Sequence, residues 1–503
     1  MTWIRPLATL CGVLVAAIMP ANAQPAAPAP APAPEGRRIA SETPFVKNTD
    51  GAGGDIQTSV AQPETSAEPS ANLATSIQDI LGPRGDPGGM RAWLLKRGLS
   101  YSLTYIGEVL GDASGGMRRG GAYGGRLELQ ADADLDRLLG WGGASIHANL
   151  YQIHGAGLSR SHVGAVLTVS GLEALPSTRL YELWFEQKLF SDVLSIRAGQ
   201  LAADTEFAVS QTATLFINGT FGWPAGLAAN LPGGGPAYPL ATPGIRAKYT
   251  PNRHFSFQVG LFNGDPAGAG RGDADPQRLN RTGTNFRTSD PPFIIAEAAY
   301  AYGLGAHGRT MPGTVTVGGW THSGRFNDLR PGAAEPSVTA GAGAGPARGR
   351  RGDSGVYAMI DQTIYREARD PNDGASAFIR VAASPSDRNL VDLYVDAGVS
   401  YRGLFRGRSD DTIGLGFAFA RISRDARGLD TDAILRFRQP GPRRSSEAVL
   451  ELTYQAVLAP GVTVQPDFQY VFRPGGGVAN PRNPTGARIR NAAIFGLRAA
   501  IHY

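Results

Sequence analysis

The stretch YELWFEQK places Glu182, Trp184, Glu186 and Lys188 at every second position, with Tyr181, Leu183 and Phe185 between them. In an extended chain this spacing sends the two carboxylates, the indole and the ammonium to one face and the apolar groups to the other. The same parity collects Glu108 on an earlier run, Arg126, Glu128 and Asp132 on the next, then Arg197, and then Arg246 with Lys248. Carboxylates and guanidinium groups pair with adjacent hydroxyls, and an aromatic ring covers an apolar ring face. A wetted face bearing both charge signs therefore suits a neutral, hydroxyl-rich solute. Such binding must stay weak if the solute is to leave again. A second reading of the same residues is a ladder of salt bridges that stiffens a wall.

A second group of candidates lies between two such runs. Residues 222–244, GWPAGLAANLPGGGPAYPLATPG, are too rich in proline and glycine for a helix or strand interior, yet too apolar for an ordinary solvated linker. Structureless connections of this length are usually functional or disordered. In and just before this stretch, Asp204, Asn218, Phe221 and Trp223 are candidates for the rim of a constriction, with Trp223 equally readable as a peg that fixes the loop to a wall.

The elements that must position these groups are strands. From residue 99 to the end the pattern is period two: Tyr101, Leu103, Tyr105 and Val109 alternate with Ser102, Thr104 and Glu108, and the last run sets Phe495, Leu497, Ile501 and Tyr503 against Arg498 and His502. About sixteen such runs can be counted. Short links such as FSDV, TPNRH and APG alternate with long ones such as GDASGGMRRGGAYGG and the connections beginning near residues 155 and 200. This alternation is the signature of hairpins in an all-β, transmembrane, antiparallel up-and-down β-barrel with short periplasmic turns and long external loops. Tyrosines at run ends, among them Tyr249, Tyr300, Tyr401, Tyr454 and Tyr470, fit interfacial girdles. With a periplasmic N-terminus, the link near residue 200 is the third external loop. A barrel of this size leaves an aqueous hole, and a loop of roughly forty residues folded inward would narrow it.

The rest of the chain fits export. Residues 1–23 read as a signal peptide, 24–70 as a Pro/Ala-rich periplasmic tether, 71–98 as a short helical segment, and 99–503 as the barrel. The single cysteine, Cys11, falls in the expected signal peptide, so disulfides, cysteine-ligated metals and cysteine catalysis are not expected. A formal charge of +5 without long basic runs gives no support for nucleic-acid binding. His147 and His154, seven apart, face opposite sides of a strand and cannot share a metal. No histidine stands in a recognisable nucleophile motif, so neither catalysis nor a cofactor is expected.

The motifs YIGEVLGDASGGMRRG, LYELWFEQKLF, IRAGQLAADTEF, LFINGTFGWP, GGGPAYPLATPGIRAKY and GLFNGDPAG resemble the carbohydrate-selective porin family of the OprB type, densely over residues 92–268 and by strand pattern beyond. The resemblance implies a barrel of about sixteen strands in the outer membrane of a Gram-negative bacterium, for passive uptake of monosaccharides and small oligosaccharides. It also implies a constriction lined by charged and aromatic groups. The expected partners are small sugars, outer-membrane lipid and, through the aromatic C-terminal Tyr503, the barrel-assembly machinery. The chain would act as a monomer or a homotrimer. The competing function is a general or anion-preferring diffusion pore, which an excess of inward arginine would favour.

Overall fold

The computed structural model describes residues 76–268, 275–303, 311–330, 349–367, 373–436 and 441–503. The expected signal peptide and tether lie outside these residues. Sixteen strands close on themselves: β1 (Leu99–Gly116), β2 (Gly120–Asp134), β3 (Ala144–Gly155), β4 (Ser177–Leu189), β5 (Leu194–Leu201), β6 (Thr242–Tyr249), β7 (Phe255–Asn263), β8 (Pro292–Tyr302), β9 (Gly313–Asn327), β10 (Gly349–Arg366), β11 (Gly374–Ala383), β12 (Val391–Arg402), β13 (Thr412–Ile422), β14 (Ser446–Ala459), β15 (Val462–Phe472) and β16 (Arg490–His502). Every strand pairs antiparallel with its chain neighbours, and β1 pairs with β16 to complete the cylinder. Closure leaves no edge strand, so every ladder is paired all the way round.

The period-two pattern explains which side faces out. Val109, Leu127, Ile196, Val317, Val356, Leu452 and Leu497 are exposed on the outer wall, while the residues between them point inward and are mostly buried. Leucine, valine and isoleucine at alternate positions both favour the pleated strand and supply a surface matched to lipid. The expected helical segment before the barrel is present as short turns, including the helix Met90–Leu95.

Three features depart from the sequence reading. The first link is no long loop: β1 and β2 extend until residues 117–119 alone join them, because the glycines of GDASGG and GGAYGG continue the ladder. Tyr181, expected to face outward with Leu183 and Phe185, turns inward. In the β3–β4 ladder Asn149 opposes Glu182 while Leu150 opposes Leu180, so Tyr181 is the additional residue of a β-bulge, and such a residue escapes simple alternation. Third, two external loops fold into the lumen. The third, residues 202–241, does so as expected, but so does the second, residues 156–176, and both are almost wholly buried.

Together the two loops form an apolar plug packed against the inner wall. Val163, Val166, Leu167, Val169, Phe216, Phe221 and Trp223 pack with Tyr394, Ala418, Val449, Val471 and Ile494 of the inner wall. Room for the Phe216 ring comes from wall glycines: a Cβ on Gly398 would sit 3.0 Å from its Cε2, and one on Gly416 2.8 Å from its Cε1. Burying a phenylalanine stabilises by about 1.5–3 kcal/mol relative to leaving it exposed.

The polar backbone of the plug is met by charged groups of the wall. Glu451 accepts from Ile217 N at 2.5 Å and Asn218 N at 3.0 Å. Glu447 accepts from Val166 N at 2.9 Å and Leu167 N at 2.7 Å. Glu297 accepts from Ala208 N at 2.6 Å, and Asp361 from the Ser210 hydroxyl at 2.6 Å and Thr212 N at 3.2 Å. Arg380, fully buried, donates to the carbonyls of Ala208, Thr220 and Phe221 and is balanced by Asp396 at 2.5 Å. Removing one member of a buried pair strands the other, at about 3–5 kcal/mol. Arg380→Met is therefore expected to speed amide hydrogen exchange of residues 208–222 while strand exchange stays slow. Adding Asp396→Leu should restore part of the protection; unchanged exchange in the single variant would show that Arg380 does not hold the loop.

Candidate functional site

The best-defined cluster of charged groups joins β4, β5, β6 and the third loop; Trp184, Arg197 and Glu206 keep contact with solvent, while Glu186 and Arg246 are buried. Trp184, Glu186, Arg197 and Arg246 reach one another because Trp184 opposes Gly199, Glu186 opposes Arg197, and Arg197 opposes Arg246 in the two ladders. The Arg197 guanidinium lies 4.0 Å from the centroid of the Trp184 ring. Its Nη1 is 2.8 Å from Glu206 Oε1 and its Nε 3.1 Å from Glu186 Oε1. Arg246 lies 2.6 Å from Glu206 Oε2 and 3.3 Å from Glu186 Oε1, and donates to the Ser195 hydroxyl at 2.5 Å. Ser195 in turn donates to Glu186 at 2.5 Å. The Nε atoms of both arginines stand at ion-pair distance but off the line of a hydrogen bond. Two cations and two anions thus balance beside an indole, and one anion, Glu206, is carried by the loop.

Gly199 makes the approach of β5 to the indole possible. Its φ is +146°, and a Cβ there would lie 2.3 Å from the Leu183 carbonyl and 2.7 Å from Trp184 Cα. The other face of the cluster is His147, whose ring stacks on Trp184 at 4.8 Å and whose Nδ1 lies 2.7 Å from Asp132 Oδ1. His154 sits on the outer wall beside Tyr105 and Tyr123, so the two histidines do face opposite ways. Lys248 shares the lumenal parity of Arg246 and is exposed.

The remaining candidates are spoken for. Glu108 pairs with Arg498 at 2.9 Å across the closing seam. Arg126 pairs with Glu128 at 3.0 Å and lies 4.4 Å from the Tyr151 ring centroid. Glu128 also accepts from Asn149 at 2.7 Å. Glu182 accepts from Ala202 N at 3.0 Å and so anchors the start of the third loop. Asp204, Asn218, Phe221 and Trp223 all lie on the inward loop, yet inside the plug. Asn218 caps the turn Gly219–Phe221, Phe221 packs 4.6 Å from Phe216, and Trp223 Nε1 donates to the Gly234 carbonyl at 3.0 Å. Asp204 accepts from Tyr238 N at 2.7 Å and Tyr181 OH at 3.1 Å.

Sequence parity missed Glu206, because an irregular loop has no alternation to read. It weighed His147 as a metal ligand and set that aside without assigning a further role, and it took the second loop as a long external link. The available signal for that loop was HVGAVLTVSGL, an apolar run too greasy to lie in water outside a barrel. Among the described residues no group of histidine, cysteine and acid side chains is placed to hold a metal.

A model of the family described as carbohydrate-selective porin, OprB family, matches residues 118–503. The chain belongs to that family. Porin B of Pseudomonas aeruginosa is 24% identical over 433 residues, covering 82% of this chain and 90% of that protein. The high-pH structure of Pseudomonas putida OprB superposes with a TM-score of 0.70 at 24% identity, covering 84% of this chain and 98% of the other. The protein is an outer-membrane β-barrel porin for sugar diffusion, and its short-turn end is the periplasmic one.

Burial is the main influence on the Asp204 carboxyl and pushes it up to about 6, against 3.8 for the free group; the Tyr238 amide and Tyr181 hydroxyl pull the other way. Above about pH 6 the folded loop must carry that buried charge, and below about pH 4 neither state carries it, so the loop gains stability as pH falls through this window. Protection of residues 202–241 from hydrogen exchange, corrected for intrinsic rates, is expected to rise between about pH 7 and about pH 5. The Asp204→Asn variant should flatten that rise. A rise of equal size in the variant would assign it to another group.

Proposed function

We propose that Trp184, Arg197 and the loop residue Glu206 form the sugar-contacting face of the channel, backed by the buried Glu186 and Arg246, with His147, Asp132 and Lys248 along the approach. The observation that carries this reading is the charge balance of the cluster beside an aromatic ring. The Glu206 carboxylate has acceptor capacity beyond its arginine contacts, and the Arg197 guanidinium has more N–H groups than it spends on its partners. A hydroxyl pair of a sugar exchanges into such a lattice without leaving either charge bare, while the indole edge meets the apolar ring face. A net charge near zero gives neither ion a strong advantage. Glu206 ties the site to the plug: the loop that narrows the lumen also supplies one of its ligands.

Glu108, Arg126, Glu128 and Glu182 act in this reading as supports. They satisfy the seam, the second and third strands and the loop anchor, and their removal would act through the shape of the lumen.

The chemistry favours passage of monosaccharides and short oligosaccharides over charged solutes of similar size. In planar bilayers, glucose or maltose is expected to lower the ion current in a concentration-dependent way. Trp184→Ala and Glu206→Gln should each weaken that block by roughly fivefold to tenfold, the loss of about one hydrogen bond or stacking contact. A current indifferent to sugar, with anions far outpacing cations, would instead favour the general or anion-preferring pore.

A further inference from the structure

The segment before β1 presents an apolar, basic surface on the outer side of the periplasmic rim. Arg91, on one side of the helix Met90–Leu95, is buried 5.5 Å from the Tyr101 ring centroid and 5.4 Å from that of Tyr503. Tyr503 has the parity of the exposed Leu497 and Ile501, and Tyr101 that of the exposed Val109, so both rings belong to the outer wall. The helix therefore lies against the outside of the barrel, not across its mouth. It is fixed there by Ile77 N donating to the His502 carbonyl at 2.9 Å and by Tyr503 OH donating to the Gly85 carbonyl at 2.5 Å. Asp86 caps its start, accepting from Arg91 N at 2.8 Å.

The exposed side of the segment is strongly apolar: on the helix Met90 is 58% exposed and Trp93 52%, and on the preceding turn Ile80 is 56% exposed. Arg84, Lys96 and Arg97 are exposed beside them, and the Arg97 guanidinium lies 3.8 Å from the Trp93 ring centroid. Trp141 and Phe190, in the periplasmic turns that follow β2 and β4, are likewise exposed, as expected of an aromatic girdle at this end of the barrel. An indole flanked by cationic side chains at the level where an apolar wall ends is the arrangement that sits among phospholipid headgroups.

We propose that residues 77–97 form an interfacial anchor that seats Met90 and Trp93 in the inner leaflet of the outer membrane, with Arg84, Lys96 and Arg97 on lipid phosphates. The occupant is lipid because the face is continuous with the lipid-facing wall and its charge complements anionic headgroups. The anchor would hold the closing β1–β16 seam at a set depth, since it hydrogen-bonds to the last residues of β16.

The test uses the mature protein in vesicles of phosphatidylethanolamine and phosphatidylglycerol, brominated either near the glycerol backbone or near the acyl terminus. Shallow bromines are expected to quench the wild type more than Trp93→Phe, by about one tryptophan's share of the emission, and deep bromines to quench the two alike. A spin label on Trp93→Cys gives a second readout, expected to be more accessible to oxygen than to a water-soluble nickel chelate. The double variant Lys96→Gln/Arg97→Gln should reduce the shallow quenching while leaving single-channel conductance unchanged. Equal shallow quenching of wild type and Trp93→Phe, with a label that favours the nickel chelate, would place this face in water. A label shielded from both reagents would show that protein, whether a second copy or another segment of the chain, covers it. Either result overturns the proposal without touching the sugar site.

Discussion

Buried backbone has to find hydrogen-bond partners, and in this barrel that requirement governs the interior. Two irregular loops enter a space ringed by sheet whose own N–H and C=O groups are already paired. Their amides and carbonyls must be met by side chains, and the inner wall supplies them: Glu447, Glu451, Glu297, Asp361 and Glu182 accept from loop amides, and Arg380 donates to loop carbonyls. Hydrogen bonds are directional. They set where each loop runs, and the apolar packing of Phe216, Phe221 and Trp223 fills the space so defined.

The proposed site for solute is set by that placement. The plug packs on the inner wall from β7 round to β16 and β1, while the third loop meets β4, β5 and β6 through a cluster of charged groups. There the charges are paired with one another more than with backbone. Arg197 and Arg246 share Glu186 and Glu206, and Trp184 is held between Arg197 and His147. The same residue types therefore do two jobs, and position relative to the plug decides which.

That division explains what could be read from the sequence. Strand number, direction and the lipid face were legible because alternation is enforced at every residue of a wall with unlike sides. The inward third loop was legible because proline, glycine and apolar residues together suit neither strand, helix nor open water. The bulge at Tyr181 was not, since one additional residue leaves no compositional trace. Parity could nominate Glu182 and Trp184 together but could not separate an anchor from a proposed solute contact, because that depends on how far Ala202 lies from one and Arg197 from the other. Glu206 belongs to a segment whose path is set by contacts from β5, β6 and β7, all distant from simple periodicity.

We place the path of solute and ions beside the charged cluster of β4, β5 and β6, with the inner wall around Val449 sealed by the plug. Single cysteines at Lys248 and at the fully buried, lumen-facing Val449 test it most directly, with the current recorded as a small charged thiol reagent is added. A prompt fall in current is expected for Lys248→Cys and no change for Val449→Cys. A prompt fall for Val449→Cys with none for Lys248→Cys would put the open path through the plug and overturn this placement.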